Sequence, residues 1–134
     1  MTELTFSTHQ HESILDITGA VADIVGAAKS PNGLCHLYVP HATAGIVINE
    51  NDDPNILEDL LDVLRQLAPR GIFRHDRIDG NGDAHIKSAL IGPGELVPYR
   101  NSRLQLGTWQ SIMLCDFDGP TTTRRVIVTL IPGE

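Results

Sequence analysis

The chain has 134 residues, room for one domain (residues 1–134) whose core buries roughly two-thirds of the unfolded chain's surface. Its 17 acids against 10 Lys and Arg give a formal net charge of −7, which repels a phosphate backbone and argues against nucleic acid as a partner. No apolar run approaches the ~20 residues needed to span a bilayer, and the opening MTELTFSTHQHES lacks a basic n-region followed by an apolar h-region, so a soluble, cytoplasmic protein without a membrane partner is expected.

LTFSTH (4–9) and SILDI (13–17) read as strands, and Thr18 is placed to cap a helix over Gly19 to Lys29 with Ala20, Ile24, Ala27 and Ala28 on one stripe. Ser30-Pro31-Asn32-Gly33 ends it. LCHLYV (34–39) is apolar on both faces except for His36, so it is expected as a central strand closed by Pro40, with His36 as a satisfied core imidazole. AGIVIN then makes the next strand. The second helix has the strongest signal: Asp52 or Asp53 as N-cap, Pro54 at the first helical position, Ile56, Leu57, Leu60, Leu61, Leu64 and Leu67 at helical spacing, and a stop at Pro69. From Arg70 to Asp83 periodicity is lost in a long loop, and AHIKSALIG follows as a short helix or turn carrying His85 and Lys87. ELVPYRNSRLQL reads as a hairpin around Arg100-Asn101-Ser102, and strands follow over TWQSIMLCDF and RRVIVTLI. About seven strands and two or three helices, without regular alternation, indicate an α+β domain dominated by packed mixed or antiparallel sheets.

Cys35 and Cys115 lie inside apolar strand-like runs, where a reduced, inert thiol is expected; two cysteines without a CxxC leave His and carboxylates as the available metal ligands. DGNGD (79–83) resembles the start of a calcium loop, but the required Gly and bidentate acid positions hold Ala84 and Leu90, so a Gly-rich turn is the better reading. Of the six His, His9 and His11 alternate on a terminal strand, whereas His41, His75 and His85 lie at element ends or in the loop, where a rigid scaffold holds sites. Three neutral imidazoles with one position left to water make an open metal site of the catalytic type; spacing alone does not bring these three together, and on spacing alone structural roles are the better reading. Asp52 and Asp53 are explained as a cap, while Glu50, directly after an apolar strand, is placed to hang at the rim of His41 as ligand, partner of a ligand, or general base.

The series PHATAGIVINEN with DP shortly after, then DGNGDAHIKSALIG, GTWQSIMLCDFDGP and RRVIVTLI, with LDIT (15–18) near the start, resembles the YjbQ family, also called the secondary thiamine-phosphate synthase enzyme family. The resemblance covers nearly the whole chain. It implies a compact α+β fold with packed β-sheets, a homotrimer, and a metal held by His41, His75 and His85 with Glu50 nearby. The chain departs from the family's pattern in three places: Asp83 stands where many members carry a second His before the HIK segment, Ala42 where many have Thr, and Thr121 where an Arg commonly follows DGP, leaving Arg124 and Arg125 as the nearest cations.

The family name implies joining a pyrimidine pyrophosphate to a thiazole phosphate. That chemistry suits Mg²⁺ on oxygens, with Lys87 or Arg124 meeting the anionic small-molecule substrate, whereas a three-His site suits zinc. The alternatives are a metal-dependent hydrolase of a small phosphorylated or acyl compound, with Glu50 positioning or deprotonating a water, and a non-catalytic metal- or ligand-binding trimer.

Overall fold

A computed structural model of the protein describes residues 1–133. It contains eight strands in two antiparallel sheets and three α-helices. The five-stranded sheet has the order β1 (Thr2–Thr8), β8 (Thr121–Pro132), β3 (Gly33–Tyr38), β5 (Gly94–Arg100), β6 (Arg103–Leu104). The three-stranded sheet places β7 (Gln110–Asp116) between β2 (Ser13–Asp16) and β4 (Ala44–Glu50).

β7 decides the layering, because its two faces alternate between two apolar clusters. Ile112 and Leu114 join Cys35, Leu37, Val97, Val126 and Val128 of the larger sheet, together with Val21 and Val25 of α1 (Thr18–Gly26). Cys115, with Phe117 just beyond the strand, meets Leu61 and Leu64 of α2 (Pro54–Leu67) and Ala84 of α3 (Gly82–Ile91). A continuous apolar run is what a strand buried on both faces requires. The order is therefore sheet, sheet, helices, with α2 and α3 outside the smaller sheet. Both thiols lie in these interiors, where burial pushes Cys35 up to about 11 and Cys115 up to about 12.

α2 begins as expected: the Asp53 carboxylate accepts from the Asn55 N–H at 2.9 Å and Pro54 follows at the first turn, where a missing N–H costs nothing. α1 differs. Thr18 is its first residue rather than its cap, and the Thr18 hydroxyl instead accepts from the Ile112 N–H of β7 at 2.9 Å. The helix stops at Gly26, short of Lys29, where the N–H groups of Ala27 and Ala28 close on the carbonyls of Asp23 and Val25. β3 is central in its sheet but buried on one face only. Cys35 and Leu37 point inward, whereas Leu34 and Tyr38 are exposed and His36 lies half-buried beside Tyr38, their ring centroids 6.3 Å apart, so His36 is not a core imidazole. The apolar residues misled because no helix or second sheet lies over that face.

α3 sits tightly against the start of β4. A Cβ on Gly45 would come within 2.6 Å of the Gly92 carbonyl oxygen, and the Ser88 hydroxyl donates to the Ala44 carbonyl at 2.7 Å. Among the described residues, no helix is long and apolar enough to cross a membrane.

Candidate functional site

The helix α3 carries three of the residues singled out from the sequence, and they fall into two environments. Lys87 and Asp83 face inward, each only 1% exposed. The Lys87 ammonium donates to Asp83 Oδ2 at 2.8 Å and stands 3.0 Å from Glu12 Oε2, an ion-pair contact without the alignment of a full hydrogen bond. Glu12, in the connection between β1 and β2, accepts with its other oxygen from the Arg65 Nε of α2 at 2.8 Å. Burial raises the Glu12 carboxyl, but Lys87 and Arg65 outweigh it and leave the group below its ordinary range. One buried ammonium thus ties α3 to the β1–β2 connection, and through Arg65 to α2.

The other cation expected at a substrate is similarly engaged. Arg124 on β8 is buried, its Nε and Nη2 donating to Asp116 Oδ1 at 3.0 and 2.7 Å and its Nη2 to the Thr43 hydroxyl at 2.8 Å. The Thr8 hydroxyl donates to Asp116 Oδ2 at 2.6 Å. Asp116 therefore has both oxygens filled, and Arg124 is neutralised inside the fold.

His75 and His85 do come together. His75 lies on a 3₁₀ turn (Arg74–Arg77), His85 in the first half of α3, and their rings meet edge to face with centroids 4.6 Å apart. The turn is clamped to the helix by Asp76, whose oxygens accept from the Gly82 N–H at 2.8 Å and the Phe73 N–H at 3.1 Å and are held below the usual carboxylate range by those bonds. Phe73 packs so closely that a Cβ on Gly82 would lie 2.7 Å from its Cβ. The His75 Nε2 is buried without a hydrogen-bond partner, with Asp79 Oδ2 3.6 Å away. Asn81 donates to Asp118 Oδ2 at 2.9 Å, and its own Oδ1, like Asp83 Oδ1, is buried and unpartnered.

His41 is placed elsewhere. Its Nε2 accepts from the Arg125 backbone N–H at 2.9 Å, an arrangement that assigns the proton of the neutral ring to Nδ1. Burial, then the charges of Arg124 and Arg125, hold its pKa below the ordinary value and favour that neutral ring. Its free nitrogen is a donor. Among the described residues, no three His, Cys, Asp or Glu in the chain are grouped to hold a metal ion. Glu50 does not share the His41 rim: β4 runs seven residues from Ala44, which pairs with Asp116, to Glu50, which pairs with Gln110. At roughly 3.3 Å per residue that is about 20 Å of strand. Glu50 lines a separate, largely apolar cleft of about 230 Å³ with Ile56, Leu60 and Val63 of α2.

The comparisons bear on the family and the fold. Residues 2–133 match the model of the family described as UPF0047 protein YjbQ-like. The chain belongs to the UPF0047, YjbQ-like family. A UPF0047 protein of Archaeoglobus fulgidus is 46% identical over 127 residues, covering 94% of this chain and 97% of the relative, and YugU of Bacillus subtilis is 40% identical, covering 89% and 90%. Crystal structures of a YjbQ/UPF0047 protein from Clostridium acetobutylicum (TM-score 0.92, 38% identity, 98% and 100% coverage) and a YbjQ-like protein from Sulfolobus solfataricus P2 (0.94, 33%, 98% and 96%) share the fold.

Sequence reading missed two residues of this UPF0047 site. Asp116 had a signal, an acid between Cys115 and Phe117 in an otherwise apolar run. Glu12 had none, because its partners Lys87 and Arg65 are distant in sequence. If Lys87 is held as described, Lys87→Met should destabilise the fold by about 3–5 kcal/mol in chemical denaturation, since it strands the buried Asp83 carboxylate and leaves Glu12 with Arg65 alone. A loss well under 1 kcal/mol would instead mark Lys87 as a solvated cation.

Proposed function

We propose that this UPF0047 protein is a metal-assisted enzyme acting on a small anionic substrate, its ion carried by His75 and His85. The observation that carries this reading is the edge-to-face imidazole pair with a buried, unpartnered His75 Nε2. A buried nitrogen without a partner costs free energy that a bound ion would recover. Tested against the three-imidazole site that the resemblance implies, His75 and His85 fit, whereas the His41 Nε2 is already used by the Arg125 N–H. Imidazole donors suit zinc or another borderline ion; magnesium would enter with a pyrophosphate substrate rather than on these rings.

Such an ion supplies a Lewis acid for a phosphoryl or carbonyl oxygen. The chain's own groups do the positioning. Asp76 fixes the turn that presents His75, the Glu12–Lys87–Asp83 network fixes the helix that presents His85, and Asp79 Oδ2, 3.6 Å from the same His75 Nε2, is within reach of an ion on that nitrogen. Lys87 and Arg124 have carboxylate partners inside the fold, so neither is placed to take a phosphate, and Glu50 is too far along β4 to serve as base. These facts favour hydrolysis of a small phosphorylated or acyl compound. Joining a pyrimidine pyrophosphate to a thiazole phosphate is the second reading, favoured by the cations Arg74 and Arg77 on the turn that carries His75.

The same reading takes the protein to be a cytoplasmic homotrimer. The exposed side chains of Leu34, Tyr38, Leu96 and Ile131 on the outer face of the five-stranded sheet support self-association, and two buried, unpaired thiols are compatible with a reducing compartment.

Elemental analysis after zinc reconstitution should find metal on the wild type and on His41→Asn but not on His75→Ala/His85→Ala, and turnover in phosphatase, esterase or two-precursor thiamine-phosphate assays should follow the metal. Metal retained by His75→Ala/His85→Ala would sink the proposal. Light scattering at micromolar concentration should give a trimer mass that Leu96→Glu lowers; a monomer mass for the wild type would exclude the assembly.

A further inference from the structure

Charge is unevenly used in this molecule. Of its 10 Lys and Arg, the described residues place Arg65, Lys87, Arg124 and Arg125 in ion pairs with carboxylates. Arg70, Arg74 and Arg77 lie within one short stretch and, among the described residues, have no acidic partner within 4.0 Å, the reach of an ion pair. Across Arg70–Asp79 the three Arg outnumber Asp76 and Asp79 by one, a locally positive stretch in a chain of net charge −7.

The backbone places two of them side by side. Arg74 and Arg77 are the first and last residues of the 3₁₀ turn, and residues three apart in that helix eclipse one another. Both line a cleft of about 350 Å³ with Gly71, Ile72, Phe73 and Asp76. Asp76 is the acid closest in sequence, but both its oxygens accept backbone N–H groups, from Gly82 and from Phe73. Those bonds anchor the turn to α3, so the two guanidinium groups project from a fixed base. Gly71, with φ of 87°, supplies the left-handed bend that opens the turn.

We propose that Arg74 and Arg77 form a binding pair for the phosphoryl or diphosphoryl group of a small molecule. Two guanidinium forks match the oxygens of such a group bidentately, which a point-charge ammonium cannot do. Exposed guanidinium groups carry no burial cost that must be offset before an anion binds, unlike Lys87 and Arg124. The placement beside His75 as a substrate-docking element rests on the enzyme reading above; the capacity to bind a phosphoryl group does not.

Titration calorimetry with sodium pyrophosphate, at low ionic strength and without added metal, separates the two. The wild type should bind pyrophosphate, and Arg74→Gln/Arg77→Gln should weaken that binding by about tenfold or more. Arg100→Gln/Arg103→Gln, which removes the exposed cations at the β5–β6 turn, should leave it unchanged. Acetate at matched ionic strength should not compete. No pyrophosphate binding by the wild type at millimolar concentration, wild-type binding by Arg74→Gln/Arg77→Gln, an equal loss in both arginine pairs, or competition by acetate would each overturn the proposal. Pyrophosphate binding without turnover on any substrate panel would count against the enzyme reading alone.

Discussion

Burying the Lys87 ammonium at 1% exposure is unfavourable by itself, and Asp83 and Glu12 make it tolerable only while three parts of the chain stay together. Asp83 comes from the same helix, Glu12 from the connection between β1 and β2, and Arg65 reaches Glu12 from α2. Helices that otherwise rest on one face of a small sheet are thereby fixed in register with it. The position of His85, midway in sequence between Asp83 and Lys87 on the same helix, depends on this anchor, and the position of His75 depends on the Asp76 clamp to that helix.

The anchor also limits the chemistry. A cation neutralised inside the protein does not serve an anionic substrate, and Arg124 is held by Asp116 in the same way. Positive charge available to solvent near the His75–His85 pair is concentrated on the loop that carries His75. The fold thus separates two uses of cations: buried ones bind elements to each other, and exposed ones on the 3₁₀ turn remain free for a ligand. His41, with Nε2 accepting from β8, links the β3–β4 connection to the larger sheet and keeps one N–H for donation.

Much of the fold was legible because its signals are local. The Asp53–Pro54 start of α2, the Arg100–Ser102 hairpin turn and the apolar strands of the smaller sheet are written within a few residues each, and the structure has them where the pattern puts them. β3 was half legible: its apolar pattern is real, but whether another layer covers its outer face is a property of the whole chain. The adjacency of His75 and His85 followed from the resemblance rather than from spacing. The placement of Glu50 failed on strand length, since adjacency to the strand that follows His41 says nothing about which end of that strand a residue occupies. The tautomer of His41 was not legible at all, because its partner is a backbone N–H 84 positions away. Hydrogen bonds to distant main chain leave no trace in residue identity.

In the proposed site His75 and His85 take a metal together while His41 stays a hydrogen-bonded donor. Nitrogen-15 NMR of the imidazole rings during a zinc titration tests this most directly. Resonances of His75 and His85 should shift together to metal-bound values while His41 keeps the pattern of a neutral ring protonated at Nδ1. Ligation of His41 in step with the other two, or no response from His75 and His85, would contradict it.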